Sequence, residues 1–304
     1  MGTKVKAHFW NLPAALTAAA GLALPTAAQA DVLHWIGPSE NGIWHDAANW
    51  EERENDDVVT SPAWIPTASD DVRLENAIVE INAAATYNDN SGGGGTANIN
   101  DGGTLTPTGG WNNVIRGFSV IVNNGGELNL LNASNRVNIR STVTVNAGGT
   151  MLGGGQNSAT LSVGGHWVPD EWIWPNESGA FHASADLTLT STGTLELALF
   201  DNGLNRHIHV GSASAEIDLA AGSILLAPQG DYEPEIGDSF TLWTNPDENP
   251  NVTVGDGSNI ALPGYALDVS QFQSEGIVTV IPEPGSLMLL GLGGALMLVR
   301  RRRW

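Results

Sequence analysis

Three segments in the middle of the chain decide the fold: Ala97-Asn-Ile-Asn-Asp-Gly-Gly103-Thr-Leu105, Val120-Ile-Val-Asn-Asn-Gly-Gly126-Glu-Leu128 and Val143-Thr-Val-Asn-Ala-Gly-Gly149-Thr-Met151. In each segment, apolar residues stand two apart before a Gly-Gly pair, and another follows two positions after it. This is the alternation of a β-strand with one buried face. The second glycine of the pair recurs every 23 residues. A period in the low twenties, built of short strands and Gly/Asn turns, is typical of a β-solenoid.

The pattern returns less regularly in Leu187-Thr-Leu-Thr-Ser-Thr-Gly193-Thr-Leu195 and Ile217-Asp-Leu-Ala-Ala-Gly222-Ser-Ile224, at intervals of 44 and 29 residues. We therefore predict an all-β chain with a single-stranded β-solenoid (β-helix) over residues 77–227, at about 23 residues per coil. Glycine and asparagine are expected to adopt the left-handed conformation at its corners. The alternative is an antiparallel sandwich of Gly-Gly hairpins, which accounts for the alternation but not for the 23-residue spacing.

One interval, residues 153–186, breaks the rhythm and is predicted to contain an inserted loop. Its segment 166–177 combines three tryptophans with three acidic residues. One interpretation makes Trp167, Trp172 and Trp174 carbohydrate contacts, because indole rings stack on sugars while carboxylates accept their hydroxyl hydrogens. In the other interpretation the loop folds back, and its rings cover a lateral face of the solenoid.

The two ends of the body carry patterns of their own. Residues 31–76 contain the spacing W-x-G-x4-G-x-W-x5-W, from Trp35 to Trp50, and are predicted to form a cap, since large aromatic side chains can cover the open end of a stacked core. A carbohydrate-stacking platform is the alternative. Residues 228–280 contain P-x-x-G-x-x-F-x-L-W, from Pro234 to Trp243, and are predicted to close the stack and protect its edge. Both patterns resemble terminal segments of secreted bacterial β-solenoid proteins.

The N-terminus has the three parts of a secretory signal peptide. Lys4 and Lys6 form a charged region, residues 12–24 an apolar run, and Ala28-Gln-Ala30 a small-residue cleavage site. We predict that residues 1–30 are removed and that the mature chain begins at Asp31.

The C-terminal segment, residues 281–304, begins with Pro282-Glu283-Pro284 and ends with four arginines, Arg300, Arg301, Arg302 and Arg303. The uncharged run between them, residues 285–299, would span about 22 Å as a single transmembrane helix, against a hydrocarbon core of about 30 Å. Long arginine side chains can compensate for a short helix, and the positive-inside rule places them in the cytoplasm. The segment resembles the PEP-CTERM sorting signal of Gram-negative bacteria. That resemblance implies that an exosortase of the inner membrane recognises the tail, cuts near the Pro-Glu-Pro, and releases or re-anchors the protein outside.

Composition narrows the classes of partner. Residues 31–299 carry 6 arginines against all 33 acidic residues, a formal net charge of −27. Such a field repels nucleic acid and anionic lipid and favours high salt, and it leaves calcium at surface acids as a candidate ion. The chain has no cysteine, so an exported body must be held together by packing and backbone pairing alone.

Chemistry-bearing motifs are few, and we predict no cofactor and no metal site. His207 and His209 would lie on one face of a strand as two candidate metal ligands, but no third ligand stands at a recognisable spacing. The adjacent pairs Asp56-Asp57 and Asp70-Asp71 would point to opposite faces of a strand, so neither forms an acid/base dyad by itself.

The sequence therefore favours a non-enzymatic structural protein of the cell surface or extracellular matrix, associated with exopolysaccharide or biofilm. The expected partners are the secretion machinery, an exosortase and exopolysaccharide, with a transient stay in the inner membrane through the C-terminal helix. Two alternatives are a carbohydrate-binding adhesin that uses residues 166–177 and a polysaccharide lyase or hydrolase built on a β-helix.

Overall fold

The computed structural model describes residues 32–282, apart from 41, 55–56, 62, 68–69, 76, 88–93, 109–114, 132–137, 170–179, 201–204 and 247. Within these residues the chain is nearly all β, with one short α-helix, α1 (Phe272–Glu275), and one 3-10 turn, Ala47–Asn49. No helix in the described part is long and apolar enough to cross a membrane. The predicted signal peptide and the predicted C-terminal transmembrane helix both lie outside it.

Across the described residues, twenty-nine short strands make up the rest of the regular structure. In chain order they are β1 (Val32–Trp35), β2 (Gly42–Ile43), β3 (Trp50–Glu54), β4 (Asp57–Thr60), β5 (Asp71–Arg73), β6 (Ile78–Ile81), β7 (Ala84–Tyr87), β8 (Thr96–Ile99), β9 (Thr104–Pro107), β10 (Ser119–Val122), β11 (Glu127–Asn129), β12 (Asn138–Ile139), β13 (Val143–Val145), β14 (Thr150–Leu152), β15 (Gln156–Asn157), β16 (Leu161–Val163), β17 (His166–Val168), β18 (Ala180–Ala183), β19 (Leu187–Leu189), β20 (Thr194–Leu199), β21 (His207–Val210), β22 (Ile217–Asp218), β23 (Ser223–Pro228), β24 (Ser239–Thr241), β25 (Trp243–Thr244), β26 (Val252–Thr253), β27 (Ile260–Ala261), β28 (Ala266–Asp268) and β29 (Ile277–Ile281).

Three sheets of parallel strands form the body. Sheet 1 has nine strands in the order β2-β6-β8-β10-β13-β16-β19-β22-β26, sheet 2 has eight in the order β7-β9-β11-β14-β17-β20-β23-β27, and sheet 3 has five in the order β12-β15-β18-β21-β25. From β13 onward the chain visits sheet 1, sheet 2 and sheet 3 in turn and then returns to sheet 1. Each strand therefore pairs with its counterpart in the next circuit, which we call a coil, and equivalent side chains stack at about 4.8 Å. The arrangement is consistent with a β-helix-like fold.

The Gly-Gly pairs stand at the corner between sheet 1 and sheet 2, and their two glycines have different tasks. The first glycines, Gly102, Gly125 and Gly148, have φ of 76°, 74° and 78°, which a side chain would make costly. The second glycine lies under the neighbouring coil: a Cβ on Gly126 would lie 2.4 Å from the carbonyl oxygen of Ile99. The 23-residue spacing of the sequence thus records where one coil must approach the next closely.

Asparagines at the same corner act differently from the prediction. In the described part of the chain the non-glycine residues with positive φ are Glu75 and Glu248, so the expectation of left-handed asparagines is wrong. Instead their side chains form a ladder along the corner. Asn146 Nδ2 donates to Asn123 Oδ1 at 2.9 Å, and Asn123 Nδ2 donates to Asn100 Oδ1 at 2.9 Å. Stacking at strand spacing lets each amide bond the next and leaves the backbone turn to glycine.

The structure also places regular strands inside the interval that is predicted to contain an inserted loop. Strands β15 to β18 lie within residues 153–186 and pair in parallel with the coils on both sides. Thr150, His166 and Thr194 are aligned, so Gly165 takes the corner position of Gly149 and Gly193. The described part of the interval therefore holds the last strand of one coil and the three strands of the next, while residues 170–179, where the predicted loop would lie, are outside the described part.

A single hydrophobic core runs the length of the body, from Leu33 to Val280. Its N-terminal end is aromatic. Trp44 and Trp50 are fully buried and meet edge to face with ring centroids 5.0 Å apart, and Trp44 lies 6.2 Å from Tyr87 of the first coil. This burial favours the cap interpretation of residues 31–76 over an exposed platform. Trp50 lies in β3 of the four-stranded sheet β4-β3-β1-β5, whereas Trp44 follows β2 of sheet 1.

The C-terminal end is closed by a sheet of a different kind. Strands β25, β26 and β27 add one more coil after the predicted limit of residue 227. Strands β24, β29 and β28 then form a three-stranded antiparallel sheet in the order β24-β29-β28, which we call the closing sheet. Phe240 and Val278 of this sheet are buried in the common core, and Trp243 Nε1 donates to the carbonyl oxygen of Phe272 in α1 at 3.0 Å.

Candidate functional site

The C-terminal edge of the body is the candidate functional site, because β29 leads directly into the predicted sorting segment. Ile281 is the last residue of β29 and Pro282 follows it. Proline has no backbone N–H and cannot continue the strand ladder. The body and the tail therefore meet without a linker. Glu283, Pro284 and Arg300–Arg303, the remaining predicted sorting residues, lie outside the described residues.

Both edges of β29 are occupied. Thr279 lies opposite Ser239 of β24, where their hydroxyl oxygens are 2.8 Å apart. On the other side, Val280 lies opposite Leu267 of β28. The N–H of Val280 donates to the carbonyl oxygen of Asp238 at 2.8 Å, and its own carbonyl accepts from the N–H of Gly237 at 2.9 Å.

The turn before β24 is held by a tyrosine and an aspartate. Tyr232 Oη donates to Asp238 Oδ2 at 2.8 Å, and the same oxygen accepts the N–H of Glu235 at 2.8 Å. Burial raises the pKa of Tyr232 to about 12, and the hydrogen bond to Asp238 with the negative charges of Asp238 and Glu235 adds to the shift. The phenol therefore remains a donor over the whole neutral range and fixes the turn beside β29.

The predicted carbohydrate contacts do not form a described surface. Trp167 lies in β17 with no exposed area, and its Nε1 donates to the carbonyl oxygen of Gly153 at 3.1 Å. Its ring packs edge to face on Phe181 at 4.7 Å. The proposal that Trp167 contacts sugar is therefore corrected: its position in the alternation of β17 directs it into the core. Trp172 and Trp174 lie outside the described residues.

The histidines of β21 acquire a neighbour that the sequence did not predict. His207 and His209 alternate with buried Ile208 and Val210, so both side chains point outward as expected. His209 is aligned with His182 of β18, and their ring centroids lie 4.6 Å apart. His209 Nδ1 also lies 3.0 Å from Thr244 Oγ1. Because β18 precedes β21 by an irregular coil, the sequence period gave no sign of this pairing.

The candidate metal ligands can be compared with their surroundings in the described residues. Within the described residues, no group of three or more histidines and acidic residues is arranged to hold an ion. Asp70 is buried and accepts hydrogen bonds from Trp64 Nε1 at 3.1 Å and from the N–H and hydroxyl of Thr67 at 2.8 Å, so it organises the cap. Asp56 lies outside the described residues.

A cleft lies beside the closing sheet. It encloses about 510 Å³ and is lined among others by Trp243, Asn245, Glu248 and Glu275. Glu248 has φ of 50°, an uncommon conformation for a residue with a side chain. The Asn245 side chain is engaged locally, because it bonds both the N–H and the carbonyl of Asn249. The cleft thus presents two carboxylates beside a tryptophan that is itself 8% exposed.

Taken together, the described geometry defines an all-β body of parallel sheets whose last strand continues into a terminal segment. Comparison with protein families identifies that segment: residues 280–303 match the PEP-CTERM protein-sorting motif. The resemblance expected from Pro282-Glu283-Pro284 and the terminal arginines is confirmed, and the motif marks the chain as an exported substrate of an exosortase, sorted to the cell surface. Neither the curated proteins nor the solved structures contain a match to the chain.

Proposed function

We propose that this chain is an exported structural protein of the cell surface or extracellular matrix, which acts outside the cell after exosortase processing and associates with exopolysaccharide. The observation that carries the proposal is the direct continuity of the PEP-CTERM motif with a folded all-β body at Val280 and Ile281. The sorting motif supplies the address, and the body is what arrives there.

The body is proposed to be a β-solenoid with three strands per coil. Support comes from the fixed order in which the chain visits sheets 1, 2 and 3, and from the purely parallel pairing within each of them. A stack of this kind is held by its continuous core and by backbone pairing. It needs no disulfide, which fits an exported chain without cysteine.

Exopolysaccharide is the proposed partner because the outward face of sheet 1 presents a regular polar row. Asn98, Thr144, Ser162 and Thr188 lie in one row across successive strands, with Ile121 between the first two. Amides and hydroxyls both donate and accept hydrogen bonds. Repeated at about 4.8 Å, they offer a long sugar chain many weak contacts.

A non-enzymatic role is part of the proposal. The better buried polar groups of the described residues have structural tasks: Asp70 orders the cap, and Asn157 Nδ2 lies 3.1 Å from three backbone carbonyl oxygens, which share its two hydrogens. Glu80 accepts from the side chains of Asn98 and Asn100 at the start of the asparagine ladder. These hydrogen bonds stabilise the body, as expected for a structural protein.

The test is fractionation of the native host with and without its exosortase, followed by retention of the purified mature body on isolated exopolysaccharide. We expect the processed body outside the cell in the first strain and the unprocessed chain in the inner membrane in the second. Glu283→Ala should reproduce the second result, whereas Glu233→Ala, an exposed acid outside the motif, should not. Equal distribution in both strains, or no retention on the polysaccharide, would contradict the corresponding half of the proposal.

A carbohydrate-binding adhesin is the second candidate, and the cleft beside Trp243 favours it. The carboxylates of Glu248 and Glu275 can accept the hydroxyl hydrogens of a sugar, and the exposed edge of Trp243 adds an apolar contact beside them. Glu248→Gln and Glu275→Gln should then reduce retention on exopolysaccharide at constant ionic strength. Glu233→Gln removes the same charge elsewhere and serves as the control; equal retention by all three variants would exclude the cleft.

A further inference from the structure

The sorting motif and the folded body share residues. The motif covers residues 280–303, and β29 extends from Ile277 to Ile281. Val280 and Ile281 therefore belong both to the segment that directs processing and to the central strand of the closing sheet. Pairing within the closing sheet uses the backbone groups of these residues, and so would binding to a processing enzyme as an extended strand.

In the folded body these groups are already engaged. Val280 is 1% exposed, and its N–H and carbonyl are bonded to the backbone of Asp238 and Gly237 at 2.8 and 2.9 Å. A peptide that is recognised by strand addition is bound as an extended chain through the same backbone groups. Val280 cannot satisfy the closing sheet and an enzyme cleft at the same time.

We propose that β29 is a gate on processing: it must leave the closing sheet before the exosortase can take up the residues that precede the Pro-Glu-Pro. The inference rests on the proposed function, since it takes processing by an exosortase as given. It concerns access to the motif, which precedes cleavage of any bond. On this proposal the stability of the closing sheet sets the rate at which a folded body is processed.

The contact between Ser239 and Thr279 allows the gate to be locked. These residues are opposite each other on β24 and β29, with hydroxyl oxygens 2.8 Å apart, and the chain has no other cysteine to interfere. In the double variant Ser239→Cys/Thr279→Cys, a disulfide formed in the oxidising exported environment would tie β29 to its neighbour. Each single variant is a matched control that cannot form the bridge.

The experiment is a pulse-chase of the full chain in its host, with loss of the tail followed by mass spectrometry. We expect the oxidised double variant to be processed at least tenfold more slowly than either single variant, and a membrane-permeant reductant to restore the rate. A second double variant carries a Gly-Ser linker between Ile281 and Pro282. It should be processed at the rate of the single variants even when oxidised, because the linker supplies free chain to the enzyme.

Three outcomes would overturn the gate. Processing of the oxidised double variant at the rate of the single variants would show that β29 need not move. Slow processing that the linker does not restore would show that the bridge acts on another step. Absence of processing in the unaltered chain would refute the proposed function itself and the gate with it, whereas the first two results leave the proposed function intact.

Discussion

The most direct test of the stacked arrangement is the replacement of one glycine, Gly126→Ala. Gly126 does not have a left-handed backbone, so alanine is compatible with its own φ. The added Cβ would nevertheless lie 2.4 Å from the carbonyl oxygen of Ile99 and 2.9 Å from its carbonyl carbon. Since Ile99 belongs to the preceding coil, the substitution tests the distance between coils and nothing else.

The cost can be estimated from the contacts at Ile99. Its carbonyl oxygen also accepts the N–H of Asn123 at 2.8 Å, so moving the coil away strains a ladder hydrogen bond worth about 1 kcal/mol. Overpacking of a rigid site adds about 2 kcal/mol. A total of about 3 kcal/mol corresponds to a fall in Tm of about 6–12 °C for a body of this size.

The assay is thermal unfolding of the purified mature body, followed by circular dichroism, with two controls. In Gly211→Ala the new Cβ would lie 3.3 Å from Ser184 Oγ, a side chain that can rotate, and we expect little change. In Gly102→Ala the nearest atom is 3.8 Å away but φ is 76°, so the cost is the left-handed strain of about 1 kcal/mol. A Tm of Gly126→Ala equal to that of Gly211→Ala would refute the close approach of the coils.

Three further predictions concern the corner, the closing sheet and the surface charge. Asn123→Ala removes two bonds of the asparagine ladder and should lower the free energy of unfolding in urea by about 1–2 kcal/mol, whereas replacement of the exposed neighbour Asn124 by alanine should have a smaller effect. The pKa of Tyr232 in the folded chain is raised from 10.0 to about 12, so the unfolded chain ionises first and the free energy of unfolding falls as the pH rises from 10 to 12. Tyr232→Phe should abolish this fall in urea titrations. An unchanged pH profile in the variant would contradict the prediction. Sodium chloride should raise the Tm because it screens the repulsion among 33 acidic residues. Calcium chloride at equal ionic strength should raise the Tm further if surface acids bind calcium. A Tm that does not depend on salt would count against a destabilising acidic field.

The regular part of the fold could be predicted because the same steric requirement recurs at a fixed interval along the chain. A glycine must recur wherever two coils approach closely, so the spacing of Gly103, Gly126 and Gly149 gives the number of residues in each coil. The coil between Gly149 and Gly193 lacks this regularity. Val163-Gly164-Gly165 reaches the corner two residues sooner than the segment from Val145 to Gly149, and no period in the sequence reveals it.

The candidate site was less predictable, because its contacts join residues that are distant in the sequence. For Trp167 the segment 166–177 left two interpretations open, a sugar contact or a ring covering a lateral face, whereas its place in the alternation of β17 puts it in the core. The pairing of His182 with His209 depends on coil lengths that the sequence does not show. The sorting motif, by contrast, is read as a linear pattern and was identified without any knowledge of the fold.

The closing sheet is the place where the folded body and the sorting motif overlap. It covers the end of the core through Phe240, Val278 and Val280, and an uncovered edge would pair with other chains. It also holds the first residues of the sorting motif. On the gate proposal, a more stable closing sheet protects the edge better and slows processing, while a weaker one does the reverse. The antiparallel design meets both needs, because β29 can detach from β24 and β28 while the parallel pairing between the coils behind it remains intact.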